Sequence, residues 1–412
     1  MRIFPETATA DAHRLLWARG ARALADGFVS ILLPAYLVTL GYDAFDVGVI
    51  TTATLLGSAA LTLFAGRITA RFGHRGPLLA ATVLMVCTGL AFATVQAFWP
   101  LLVIAFVGTL NPASGDVSIF LPIEQSLLAR SVDKKDRTEL FAHYSLAGSL
   151  MGAVGTLLAA APDFASRIVP GLTEVGAMQA MFAAYGALGL AAALCYRGLT
   201  REDVHAEAQK SQPLGPSRHT VYRLVALFSI DSFGGGFMVQ TILALWLLQV
   251  FDLPVAATAS ILFWSNLLTA ASFLVSVRIA RRIGLINTMV FTHLPANLCM
   301  MAIPFTSDLH VVIGLLMVRS FLSQMDVPTR TSYVMAVVTP PERPAAASLT
   351  NVPRSLAAAI SPTIAGYLLL MSSFGWPLLI GGALKVAYDV ALLAMFRRVR
   401  PPEEEGAETK AA

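Results

Sequence analysis

Arg67-Ile68-Thr69-Ala70-Arg71-Phe72-Gly73 has a counterpart in Arg278-Ile279-Ala280-Arg281-Arg282-Ile283-Gly284. Each is a basic loop closed by a glycine, and each follows two apolar spans and precedes a third. Weak internal symmetry of this kind marks a membrane protein built from two similar parts. The arginines of both copies then face the same side of the bilayer.

Composition agrees with that assignment. The 412-residue chain is 56% hydrophobic and 13% charged, whereas ordinary globular proteins carry about 25% charged residues. Uninterrupted apolar runs replace the missing charge. Residues 77–96 and 376–396 each run for about 20 residues, enough to cross a ~30 Å hydrocarbon core as a helix. The runs are continuous rather than alternating, and twice the ~10 residues of a barrel strand, which excludes a β-barrel. The net charge of +4 resides in loops and is a topology signal, with no nucleic-acid partner implied. Cys87, Cys195 and Cys299 fall inside spans without metal or disulfide spacing, as small packing residues do. Residues 1–13 lack an apolar stretch with a cleavage site, so no removable signal peptide is expected.

Apolar runs bounded by Gly, Pro and charge give about twelve spans. The first six lie near 16–40, 47–65, 77–96, 98–121, 140–160 and 178–196. The second six lie near 221–249, 255–277, 285–305, 309–331, 346–371 and 376–396. The chain is therefore read as an all-α integral membrane protein with twelve transmembrane helices in two pseudo-symmetric six-helix halves. These are residues 1–196 and 221–396, with a polar linker at 197–220 and a tail at 397–412. With the N-terminus inside, the outer loops near 41–46, 250–254, 306–308 and 372–375 hold no Lys or Arg. Inner segments hold Arg67, Arg71, Arg75, Lys134, Lys135, Arg278 and Arg282 among others, which predicts that both termini and the linker are cytoplasmic.

Six plus six spans, a central linker and a basic loop after spans two and eight resemble the major facilitator superfamily (MFS) over essentially the whole chain. Its loop signature reads G-x-x-x-D-R-x-G-R-R, and Gly66, Arg71, Gly73 and Arg75 occupy matching positions. The acidic position is Ala70 and the first of the final basic pair is His74. The family's acidic residue braces the cytoplasmic gate, and Ala70 cannot. Gly115-Asp116-Val117 and Met325-Asp326-Val327 form a second internal match, each followed by a basic-acidic turn such as Glu342-Arg343. The resemblance thus makes Gly66, Arg71, Gly73, Arg75, Asp116, Asp326 and Arg343 gate candidates. Span five carries Gly148, Gly152 and Gly155 without the adjoining proline of antiporter members, so that label does not transfer.

Charges inside spans narrow the site. A charge at the centre of a spanning helix costs about 2.5–3.5 kcal/mol on insertion scales and needs a partner or water. The deep ones are Arg22 and Asp26 in span one, Asp231 in span seven, Arg319 in span ten, and Lys385 with Asp389 in span twelve. Asp116, Glu124, Asp326, Arg330 and Arg354 lie nearer the cytoplasmic ends. Lys385–Asp389 is spaced i, i+4 and is read as a self-neutralising structural pair outside the cavity. Arg22–Asp26 has the same spacing, but the resemblance lines the cavity with spans one, four, seven and ten. For that pair, neutralisation and a substrate or proton role stand side by side. Arg319 has no acidic neighbour on its own helix, which suits either an anionic group held by its planar fork or pairing with Asp26 or Asp231. His293 is read as a hydrogen-bonded packing residue, with proton transfer as the alternative.

The resemblance implies a secondary transporter working by alternating access, with its cavity between the two halves. Its expected partners are a small-molecule substrate, the lipid bilayer and protons, with no cofactor, in a monomer. An enzyme is disfavoured, since HExxH, G-x-S-x-G and phosphate-loop motifs are absent from the sequence. A non-transporting receptor or scaffold on a transporter fold is the alternative.

Overall fold

A computed structural model describes residues 9–113, 118–132, 137–200, 214–339 and 342–396. The first half holds α1 (Ala10–Thr39), α2 (Ala44–Phe72), α3 (Arg75–Thr94), α4 (Phe98–Val107), α5 (Phe120–Leu128), α6 (Arg137–Leu158), α7 (Ala161–Ile168) and α8 (Glu174–Arg197). The second holds α9 (Arg218–Gly236), α10 (Gln240–Val250), α11 (Val255–Ile283), α12 (Leu285–Ala302), α13 (Leu309–Ser323), α14 (Asp326–Val337), α15 (Arg343–Met371) and α16 (Trp376–Phe396). Among the described residues, ten segments are long and apolar enough to cross a membrane, and Phe98–Val107 and Leu309–Ser323 are shorter apolar helices. The twelve spans follow, with spans four, seven and ten each made of two helices: α4 and α5, α9 and α10, α13 and α14.

Local chemistry explains these interruptions. Span four breaks after Gly108, where Pro112 cannot donate a helical hydrogen bond and pushes Asn111 out of helical geometry. Span seven breaks after Gly234-Gly235-Gly236, three poor helix formers in a row. Span ten breaks at Gln324, whose carbonyl would need the amide that Pro328 lacks. Broken backbone at membrane depth must find partners within the protein, and here hydroxyl groups of other helices supply them. Tyr185 Oη donates to Thr109 O at 2.8 Å and Ser361 Oγ to Phe233 O at 2.6 Å. Ser276 Oγ donates to Met325 O at 2.6 Å.

The two repeated basic loops share one conformation. Gly73 ends α2 at φ 70° and ψ −172°, and Gly284 separates α11 from α12 at φ 82° and ψ 167°. That region of backbone space is essentially open to glycine alone. The duplication visible in sequence is therefore also a duplication of backbone geometry.

The chain divides into two compact units, residues 1–208 with 239–266, and residues 209–238 with 267–412. Helix α10 thus groups with the first unit although it follows the linker. Its anchorage is polar: Thr241 donates from N at 3.2 Å and from Oγ1 at 2.9 Å to Pro112 O, the carbonyl freed by the span-four break. Thr241 Oγ1 also lies 2.9 Å from Ser30 O, and Gln240 Nε2 donates to Ser30 Oγ at 3.0 Å.

Small residues set the helix packing in each unit, as in other membrane bundles. A Cβ on Gly27 of α1 would collide with the Gly152 carbonyl and would lie 2.9 Å from Gly155 Cα, both on α6. The span-five glycines therefore seat α1. In the second unit a Cβ on Gly236 would collide with Ala358 O of α15. The glycines after Asp26 and Asp231 accordingly serve close helix contact.

Candidate functional site

Each unit encloses its own buried ion network. In the first, Arg22 of α1 pairs with Glu124 of α5, and both side chains are buried. Arg22 Nε donates to Tyr196 Oη at 3.1 Å, and Tyr196 Oη donates to Glu124 Oε1 at 2.6 Å. Tyr144 Oη donates to the other oxygen, Glu124 Oε2, at 2.5 Å. The guanidinium lies 4.1 Å from the centroid of the Phe120 ring, a cation–π contact in a dry setting. Arg22 thus takes its ion-pair partner from another helix rather than from Asp26 one turn away. Asp26 is buried too and accepts from Asn111 Nδ2 at 3.4 Å, beside the span-four break.

The second unit centres on Asp231 of α9. Lys385 Nζ of α16 approaches Asp231 Oδ1 at 2.6 Å, and Arg330 Nη1 of α14 approaches Oδ2 at 3.0 Å. Arg330 also pairs with Asp326, four residues earlier on its own helix. Asp389 of α16 accepts from His293 Nδ1 at 2.9 Å and from Asn297 Nδ2 at 3.0 Å, both on α12. The far nitrogen, His293 Nε2, lies 3.8 Å from Asp231 Oδ1.

This geometry corrects the expected Lys385–Asp389 pair. The spacing does put both on one face of α16, but each is engaged by a different helix. Glycines on α9 are the physical cause. A Cβ on Gly234 would lie 3.2 Å from Lys385 Cγ, and one on Gly235 would lie 3.5 Å from Lys385 Nζ. The bare backbone there gives the lysine stem a bed leading to Asp231.

The networks share a plan with reversed polarity. In the first unit the arginine is on the opening span and its carboxylate on span four; in the second, Asp231 is on the opening span and Arg330 on span ten. Arg330 sits 5.5 Å from the Phe228 ring centroid, as Arg22 sits over Phe120. Each phenylalanine then meets a tyrosine of its unit's last span, Phe120 with Tyr196 at 6.1 Å and Phe228 with Tyr388 at 6.3 Å.

Arg319 of α13 is half-buried, and its Nε lies 3.3 Å from Met300 Sδ. Among the described residues it forms no ion pair, because Asp231 is already held by Lys385 and Arg330. Pairing with Asp231, one of the two expectations, does not occur.

The gate candidates scatter. Gly66 lies within α2, and the Arg71 guanidinium stands 5.4 Å from the Phe72 ring centroid. Gly73 and Arg75 line a cavity of about 360 Å³ with Leu79, Leu127 and Thr200. Asp326 belongs to the buried network just described. Asp116, the side chain of Arg343, residues 201–213 of the linker and the tail at 397–412 lie outside the described residues. Beside Arg343, hydrogen bonds from Ser217, the Gly215 amide and Thr339 hold the Glu342 carboxyl below its ordinary range. That contact fastens the linker's exit onto the start of α15.

Sequence reasoning placed Glu124 and Arg330 near helix ends and assigned Tyr144, Tyr196 and Asn297 nothing. The phenylalanine–arginine–tyrosine recurrence was a usable signal, hidden by the reversal of charge between the two halves.

Charged networks buried beside interrupted spans, in a multi-pass helical bundle, are the features of a membrane transporter. The chain belongs to the Major Facilitator Superfamily, whose profile matches residues 15–325. It is 23% identical to the uncharacterized membrane protein YJR124C of Saccharomyces cerevisiae (strain ATCC 204508 / S288c), with 93% of each chain aligned. Among solved structures it resembles the nucleoside transporter NupG, at TM-score 0.73 and 16% identity, covering 94% of this chain and 100% of that one. It also resembles the human organic anion transporter MFSD10 (TETRAN), at TM-score 0.67 and 16% identity with the same coverages. At these identities the structural likenesses carry the fold.

Proposed function

We propose that this protein is a proton-coupled secondary transporter of a small organic anion, working by alternating access as a monomer with both termini cytoplasmic. The observation that carries the solute class is Arg319: a half-buried guanidinium on a broken span, 3.3 Å from the Met300 thioether and paired with no carboxylate among the described residues. A planar fork in that state suits a carboxylate or phosphate, which it can bind bidentately. The breaks in spans four, seven and ten support the transport mechanism, because discontinuous helices recur beside substrate sites in secondary transporters. NupG and MFSD10 move different solutes, so the fold leaves the choice to the side chains.

Uptake into proteoliposomes tests the proposal, with labelled organic anions set against nucleosides, sugars, amino acids and cationic drugs. An organic anion is expected to accumulate under an imposed proton gradient. Arg319→Lys keeps the charge and removes the fork, so it should weaken anion binding by about tenfold or more, a loss of one bidentate charge-assisted contact. Unchanged affinity in Arg319→Lys would sink the anion assignment, and binding without accumulation would point to a receptor. Orientation is checked by impermeant cysteine labelling at position 210, where labelling from outside intact cells would reverse the topology.

A further inference from the structure

We propose that the exchangeable proton of the second unit is carried by the His293–Asp389 pair, with Asp231 as the fixed counter-ion that transmits its arrival to span seven. The proposal rests on the transport reading for its purpose, but its chemistry stands on the geometry of α9, α12, α14 and α16.

Charge balance is the first reason. Among the described residues, three carboxylates, Asp231, Asp326 and Asp389, lie in the network, and the permanent cations that pair with them are Lys385 and Arg330. Both cations are committed to Asp231 and Asp326. Asp389 is fully buried, and its described partners are His293 and the neutral amide of Asn297. Arg354 of α15 stands nearby, but it donates to Ser232 Oγ at 3.1 Å and Asn351 Oδ1 at 3.4 Å, and among the described residues it reaches no carboxylate. An ionised Asp389 beside a neutral His293 would be a buried charge without a counter-charge, which is costly in a membrane bundle. One proton held within the pair removes that cost.

The second reason is the placement of the histidine's two nitrogens. With Asp389 ionised and accepting at 2.9 Å, Nδ1 carries the ring proton and the bare Nε2 lies 3.8 Å from Asp231 Oδ1, with Asn297 Nδ2 3.2 Å from Nδ1. A lone pair facing a carboxylate oxygen is repulsive, and a proton on Nε2 turns the contact attractive. The step balances simply: a proton from water forms the Nε2–H bond while the Nδ1 proton passes along its hydrogen bond to Asp389, giving a neutral acid and the other ring tautomer, and release to water reverses both transfers.

Delivery to span seven follows from a shared atom. Lys385 Nζ and His293 Nε2 both address Asp231 Oδ1, at 2.6 Å and 3.8 Å. A His293 protonated on Nε2 therefore competes with Lys385 for one oxygen on the helix that ends at Gly236. Among the described residues, Tyr388 touches the His293 ring, and Asp326, Arg330 and Arg354 are the other charged groups interacting with Tyr388 or Asp231. Tyr388 packs edge-on to the imidazole at 6.0 Å, and its buried hydroxyl has no hydrogen-bond partner in the described residues. Arg319 stands off on Met300, one turn along from Asn297.

The test is a pH titration of the purified full-length protein without solute, across about pH 5 to 9. Infrared difference spectra follow the carboxyl stretch, and ¹⁵N spectra follow the histidine rings. The expected result is one ring and one carboxyl titrating together. Asp389→Asn should remove the carboxyl component entirely, and His293→Gln should remove that ring signal and displace the carboxyl change. A carboxyl component that survives Asp389→Asn overturns the proposal. So does one that vanishes in the charge-balanced variant Asp231→Asn with Lys385→Met, which removes one charge of each sign and so protects folding. Because no solute is present, failure of uptake in proteoliposomes would defeat the transport reading and leave this result standing.

Discussion

Glu124→Ala is expected to lower stability by about 3–5 kcal/mol, the range for removing one partner of a buried ion pair. The carboxylate answers three donors at once: the Arg22 guanidinium, Tyr144 Oη and Tyr196 Oη. Alanine leaves the arginine charge in a dry site, where the Phe120 face offers only about 2 kcal/mol of attraction. Glu124→Gln should fall between, because the amide keeps an acceptor for one tyrosine and loses the charge. Arg22→Met combined with Glu124→Met removes both charges at similar volume and should recover most of the stability. Thermal unfolding in a fixed detergent measures all four proteins. Equal apparent Tm values for wild type and Glu124→Ala would mean that the pair is not formed.

The second large effect concerns the partner of Lys385. Asp231→Ala strands Lys385 and one arm of Arg330, so it should be the most damaging single change in the second unit, again about 3–5 kcal/mol. A double-mutant cycle decides the pairing. Lys385 and Asp231 should couple by about 0.5–3 kcal/mol, the range for residues in direct contact. Lys385→Ala with Asp389→Ala, whose residues are linked only through Asp231 and His293, should couple more weakly than Lys385 with Asp231. The i, i+4 spacing on α16 predicts the opposite, that the Lys385–Asp389 double change is milder than either single one. Coupling confined to Lys385 and Asp389 would restore that simpler pairing.

That reversal shows where the sequence stops being legible. The twelve spans were readable because the cost of exposing polar backbone to lipid is paid by long apolar runs. The repeated basic loops were readable because only glycine tolerates the backbone at Gly73 and Gly284. Arg22, Asp26 and Asp231 could be flagged because a charge at membrane depth always calls for explanation. Their partners could not be found, since helix periodicity reports neighbours on the same helix and the actual pairs join α1 to α5 and α9 to α14 and α16. Glu124 and Arg330 were taken for helix-end residues because the kinks in spans four and ten cannot be located from hydropathy. His293 gave no signal beyond its identity, because its significance lies in standing between two carboxylates far apart in sequence.

The membership of α10 in the first unit bears on how the chain is made. Synthesis delivers residues from the N-terminus onward, and the first unit is made in two stretches, 1–208 and 239–266. Yet the carbonyl of Pro112 meets the amide and hydroxyl of Thr241 only after the linker and α9 have also been inserted. The first unit is therefore completed only by a stretch of chain from beyond the linker. The order of manufacture and the order of completion differ, and a chain cut between 208 and 239 would leave its first piece without the part of its unit at 239–266.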